Sequence, residues 1–262
     1  VSETYTVTAG NAVTQSGVLT ITGATTITAT GHDVTLDHPS NNFIGTVGII
    51  GADVEVVDVN TLVLGLSTVS GTYEATATAG NITQSLVTGN RLSISGTTTL
   101  QTSAEAATID LSNTNNGFTG ALLITTNDND SPADTTYAAH VKIDGGTTNL
   151  IIGTSTIDGD LTLRSGGTIT DTDSSTVTVK GALSATTDAG SSLITLNDLE
   201  VDGSFTLAPN SAGAVTIVND AGLDLAASTM GGTFSGTATT GDISDSGTLT
   251  ITGAATFITT AA

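Results

Sequence analysis

A chain of 262 residues with no Cys, no Trp and 3% aromatic residues has neither a disulfide scaffold nor the large side chains of a thick globular core. Its 37% hydrophobic content and mean hydropathy of +0.23 exclude a typical disordered tail, despite a net charge of -21. With 25 acidic against 4 basic residues, phosphate backbones and anionic lipid surfaces are repelled, so neither nucleic acid nor membrane insertion is expected.

The predicted elements are all short strands. Thr is the commonest residue, and Thr, Val and Ile fit a pleated surface because they branch at Cβ. In chain order, apolar residues alternate with small polar ones at Leu19 and Ile21, Val34 and Leu36, Val54 and Val56, Leu62 and Leu64, and Leu161 and Leu163. Period two predicts a strand with one buried face. Each run ends at Gly, Asn or Asp, which turn a chain at low steric cost. Nearly every gap between runs is too short for a helical crossover.

The strands recur in a fixed order. Leu19-Thr20-Ile21-Thr22-Gly23 returns as Leu92-Ser93-Ile94-Ser95-Gly96, Val177-Thr178-Val179-Lys180-Gly181 and Leu249-Thr250-Ile251-Thr252-Gly253. The glycines lie 73, 85 and 72 residues apart. Val34-Thr35-Leu36 returns at Ile109 and Ile194, and Val54-Glu55-Val56 at Val141 and Val215. The aromatics Phe43 and Phe118 are equivalent, as are Tyr5, Tyr73 and Phe234, and they are expected as interior stacks. The longer second interval places an insertion near 125–140. It holds Asn127-Asp128-Asn129-Asp130-Ser131-Pro132-Ala133-Asp134. The repeats run approximately 10–79, 80–166 with that insertion, 167–240, and a partial copy at 241–262. All belong to one continuous domain, 1–262. No capping segment is visible, which leads us to expect a longer array or ends that stack on neighbours.

The expected fold is an all-β parallel β-helix. Antiparallel hairpins in a sandwich are the weaker alternative. A period of 72–73 residues divides into about three rungs of roughly 24 residues. Residues about 72 apart, Gly23 and Gly96 among them, would then stack over one another. About eleven rungs give a rod roughly 50 Å long.

The run from Gly10 to Gly45, and less closely that from Gly80 to Gly120, resembles the repeats of filamentous-haemagglutinin-like bacterial surface proteins. The likeness rests on Asn-x-x-Thr-Gln-Ser or Asn-x-Thr-Gln-Ser, Leu-x-Ile-x-Gly, Val-Thr-Leu-Asp and Asn-Asn-Phe-x-Gly. It implies a right-handed β-helix, export across the envelope, and a role in adhesion, biofilm or a sheath. No amino-terminal secretion domain of that family is recognisable in these residues.

Chemistry is sparse. Lyases of the β-helix class need a base and cations, and Arg91, Lys142, Arg164 and Lys180 are scattered among different repeats. Glycosidases need paired carboxylates at a cleft. Asp158 with Asp160 and Asp171 with Asp173 are pairs that acidic turns also produce. His32, His38 and His140 show no zinc spacing. Calcium is the candidate cofactor, through Asp128, Asp130 and Asp134, whose oxygens suit a hard cation. The loop lacks the glycine turn and terminal Glu of an EF-hand. Thr26-Ile27-Thr28 has the Thr-x-Thr form of an ice-binding face, against which the long, irregular period argues. The leading expectation is therefore a non-enzymatic, extracellular structural rod segment of an adhesin or surface filament, its partners being neighbouring repeats in head-to-tail contact or host and matrix glycans. The first alternative is a glycan- or cation-binding module acting through 127–137. The second is a polysaccharide-active β-helix enzyme.

Overall fold

The computed structural model describes residues 3–127 and 137–260. Its described residues contain strands and turns and no helix. About 12 turns of parallel strands form a β-solenoid. Two long sheets of 15 and 14 strands run the length of the rod, here called sheet I and sheet II. Among the described residues the strands pair in parallel, as in Tyr5↔Thr25↔Val47 on sheet I and Val34↔Val54↔Tyr73↔Thr98↔Leu122 on sheet II. Two further pairs lie between the long sheets in chain order, Ile21↔Phe43 ahead of sheet I and Ser228↔Leu249 ahead of sheet II.

Alternation along each strand builds the interior. The strand Val54–Asp58 buries Val54, Val56 and Asp58 and turns Glu55 and Val57 outward. Val, Ile and Leu so placed merge into one apolar column from Ile21 to Ala238. Of the aromatics expected inside, Phe43, Phe118, Tyr73 and Phe234 are buried, and Tyr5, in the first strand, is only partly buried. Phe43 stacks on Ile21 and Phe118 on Ile94, while Tyr73 lies between Val54 and the small Thr98, so apolar side chains fill the narrow interior from turn to turn. Outside, hydroxyl side chains form rows, as in Thr170↔Thr195↔Thr216↔Ser235↔Thr256.

The stacking of equivalent residues differs from the expected three rungs by half a turn. From Thr25 on sheet I the chain passes Val47, the strand Leu62–Leu64 and the strand Ile82–Gln84. It then reaches Thr98, the equivalent of Thr25, on sheet II. From Thr98 it passes Leu122, Ile152 and Asp171 and arrives at Leu183 on sheet I. The repeat therefore takes three and a half turns, and equivalent segments alternate between the two sheets. Gly23 and Gly96 consequently lie at different corners. Gly23 packs between Glu3–Thr4 and Gly45, just before sheet I, while Gly96 packs between Gly71 and Gly120, just before sheet II.

These glycines are where turns touch. The Gly96 N–H donates to the Gly71 carbonyl at 2.9 Å and the Gly203 N–H to the Gly181 carbonyl at 3.1 Å. A Cβ on Gly96 would be driven into the Gly71 carbonyl, and one on Gly120 into that of Gly96. The Leu-x-Ile-x-Gly signature thus ends in Gly because backbone meets backbone there.

Candidate functional site

The polar side chains with the most elaborate geometry are inside the rod. Gln15 and Asn41 exchange reciprocal amide hydrogen bonds, both 2.8 Å. Asn41 also donates to the Leu36 carbonyl at 3.0 Å and accepts from the Leu19 N–H at 3.0 Å. One repeat later Gln84 and Asn116 do the same at 2.7 and 2.9 Å, with the Leu111 carbonyl and Leu92 N–H as the outer partners. In the third repeat Asp171 takes the glutamine's place. One carboxylate oxygen accepts from the backbone N–H groups of Asn197 (2.6 Å) and Asp198 (2.8 Å). Burial nonetheless raises its pKa above the ordinary carboxylate value, the two N–H donors offsetting only part of that. Each clamp bridges a turn and satisfies backbone groups that a corner leaves free.

A second device is a buried serine. Ser67 Oγ accepts from the Ile49 N–H at 3.1 Å, Ser155 Oγ from Ile124 at 3.0 Å and Ser228 Oγ from Leu207 at 2.9 Å. From sequence, Asp171 stood out only as half of an acidic pair and the clamp Gln and Asn residues only inside recurring motifs, and the serines were not singled out. The signal was present in Ser67-Thr68-Val69, Ser155-Thr156-Ile157 and Ser228-Thr229-Met230, with glycine at 71, 159 and 232.

Outside, acidic residues gather along a groove of about 320 Å³ lined by Asp33, Asp53, Glu55, Thr72 and Glu74. The corner carboxylates there are occupied by backbone. Asp33 accepts from the Asp53 N–H at 3.2 Å, and Asp53 from the Thr72 N–H at 2.7 Å and hydroxyl at 3.0 Å. The Thr72 N–H, and then its hydroxyl, lower the Asp53 pKa. Glu55 and Glu74 are register partners on adjacent turns. Burial and then the charges of Glu74 and Asp37 raise the Glu55 pKa. The turn length of 19 residues, rather than the 73-residue repeat, brings these two glutamates together.

The residues proposed from sequence are dispersed. Asp128, Asp130 and Asp134 lie outside the described residues. Among the described residues, no three His, Asp or Glu side chains converge as metal ligands. Asp160 accepts from the Ala182 N–H at 2.8 Å, and its own N–H donates to His140 Nδ1 at 2.9 Å. His38 Nδ1 accepts from the Ser40 N–H at 3.1 Å. Arg164 forks onto Asp188 at 2.8 and 3.0 Å, and Lys180 reaches Asp202 at 3.1 Å. Those carboxylates raise the pKa of both cations. Asp173, Arg91 and Lys142 are exposed.

A geometry devoted to joining turns accords with the family to which the sequence maps. Four segments, residues 1–50, 51–125, 138–208 and 212–262, match the model for Repeats of unknown function (DUF5649). The chain belongs to that family. The DUF5649 matches leave out residues 126–137, so the insertion is extra to the repeat. No curated protein and no solved structure matches the chain.

Proposed function

We propose that this DUF5649 chain is a non-enzymatic rod segment of an extracellular adhesin or surface filament. One observation carries the reading: the recurring residues of the repeat, its corner glycines, Gln–Asn clamps and buried serines, all join one turn to the next. A sequence that repeats its joints and varies its outer residues is built for length and stiffness. The likeness of Gly10–Gly45 to filamentous-haemagglutinin-like repeats supports the adhesin setting and the extracellular location. Head-to-tail partners and glycans belong to the same proposal.

The test is a surface-expression experiment with the parent protein carrying or lacking residues 98–182. Retained export with a shortened reach, and loss of cell or matrix attachment at long range only, supports a spacer. Unchanged attachment at every range overturns it, and so does turnover of an acidic polysaccharide by the purified chain. The second reading, a glycan- or cation-binding module, is favoured by the position of 126–137 outside the repeat matches. Deleting 127–137 without loss of adhesion or of a calcium-induced rise in melting temperature removes it.

A further inference from the structure

Asp58 and Asn219 occupy the same place in two repeats and are both 0% exposed. Each ends a five-residue strand, Val54–Asp58 and Val215–Asn219. Each faces the residue that follows the corner of an adjoining turn, Phe43 in one case and Val201 in the other. Asn219 uses its whole amide. Its Oδ1 accepts from the Val201 N–H at 2.8 Å, and its Nδ2 donates to the carbonyls of Val201 (3.0 Å) and Gly222 (2.7 Å). Asp58 reproduces only the accepting half, Oδ1 taking the Phe43 N–H at 3.1 Å. Its Oδ2 is buried and has no partner. Where Asn219 presents an N–H to a carbonyl, an ionised Asp58 would present a lone pair.

We propose that Asp58 keeps its proton in the folded rod and acts as a neutral counterpart of Asn219, which makes the joint between its turns pH-sensitive. The proton sits on Oδ2 and takes the role of the Asn219 Nδ2–H, directed at the Phe43 carbonyl, the counterpart of the Val201 carbonyl. Burial pushes the Asp58 carboxyl up, and the N–H groups of Phe43, Asn60 and Val59 offset that only in part. Among the described residues, burial and backbone N–H groups, not charged side chains, account for that shift. Glu55 on its own strand and Glu74 on the next occupy outward positions. Its partner on that next strand is Ala77, and on the side of the 38–43 corner the titratable group is the half-buried His38. A carboxyl whose folded pKa is raised contributes stability that is complete below its unfolded pKa. That stability disappears as pH rises through the folded value. The proposal does not depend on where the rod works.

The experiment compares thermal melting of the wild type, Asp58→Asn and Asn219→Asp from acid to mildly alkaline pH. Asp58→Asn is expected to melt above the wild type at neutral pH, the gain fading toward acid pH. Asn219→Asp is expected to melt below the wild type at neutral pH and to recover toward it in acid. Carbon NMR of the carboxyl in the wild-type chain supplies a readout that does not require a variant to fold. A titration of Asp58 above the ordinary range supports the assignment. Titration at the ordinary value, or an Asp58→Asn gain that is the same at every pH, overturns it.

Discussion

At the scale of single residues, backbone proximity and buried amides decide what can be changed. A Cβ on Gly120 would run into the Gly96 carbonyl, whereas one on Gly17 would meet nothing within 4 Å. Gly120→Ala is expected to lower stability by about 1–3 kcal/mol, the cost of forcing a methyl into filled space, and Gly17→Ala to leave it within about 0.5 kcal/mol. Chemical denaturation of both variants checks the difference. Asn116→Leu removes the partner of Gln84, the Leu92 N–H and the Leu111 carbonyl together. At about 1–3 kcal/mol for each stranded buried group, it should cost more than Gly120→Ala in the same measurement. The glycines were legible in the sequence because they repeat visibly. Asn116 was legible only as part of an Asn-Asn pair before Phe118. Its bond to Gln84 joins residues 32 apart, a distance that matches neither the 73-residue repeat nor the 27-residue turn from Ile82 to Ile109, so no periodicity announces it.

At the scale of strands, local pattern was readable and pairing was not. The alternation at Val54, Val56, Leu62 and Leu64 fixed which faces are buried, and DUF5649 strands fall where that alternation put them. Partners could not be read, because the repeat invites stacking Gly23 over Gly96 while the turn places Glu55 over Glu74. Turn length also varies, being 19 residues between Val54 and Tyr73, 25 between Tyr73 and Thr98 and 32 between Ile109 and Val141, and a varying period hides in a steady one. The buried serines show what holds strands at the corners where the ladder changes direction. Removing the Ser155 hydroxyl leaves the Ile124 N–H without its acceptor. Ser155→Ala should therefore destabilise by about 1–3 kcal/mol. Hydrogen exchange should also accelerate at Ile124 and its neighbours ahead of the rest of the rod. Uniform exchange across all turns would show that the hydroxyl is not a local fastener.

At the scale of the whole molecule, three and a half turns per repeat make successive repeats two-fold partners about the rod axis. Whatever one repeat displays on sheet I, the next displays on sheet II, so an outward feature of the repeat faces opposite directions in alternation. A rod of this kind has no unique front, which suits a spacer met from either side better than a one-faced binding wall. The relation has a direct consequence for deletion. Removing residues 98–182 takes out three and a half turns and joins Thr97 to Leu183. Leu183 is the equivalent of Thr98, and its forward partner Phe205 is the equivalent of Leu122. The corner glycine, the strand and its cover all meet a matching surface, turned by half a revolution. The shortened chain is expected to melt in a single transition, with its longest dimension by small-angle X-ray scattering reduced by about 17 Å at roughly 4.8 Å per turn. Removing residues 98–168 instead takes out three whole turns and keeps Ile169 on sheet II. It places Ile169 after the Gly96 corner without the glycine contact that such a strand needs. That variant should be the less stable of the two, because solenoid stability is a sum over neighbouring interfaces and this junction is mismatched. If the three-turn deletion folds well and the longer one does not, equivalent residues stack directly and the half-turn relation is wrong.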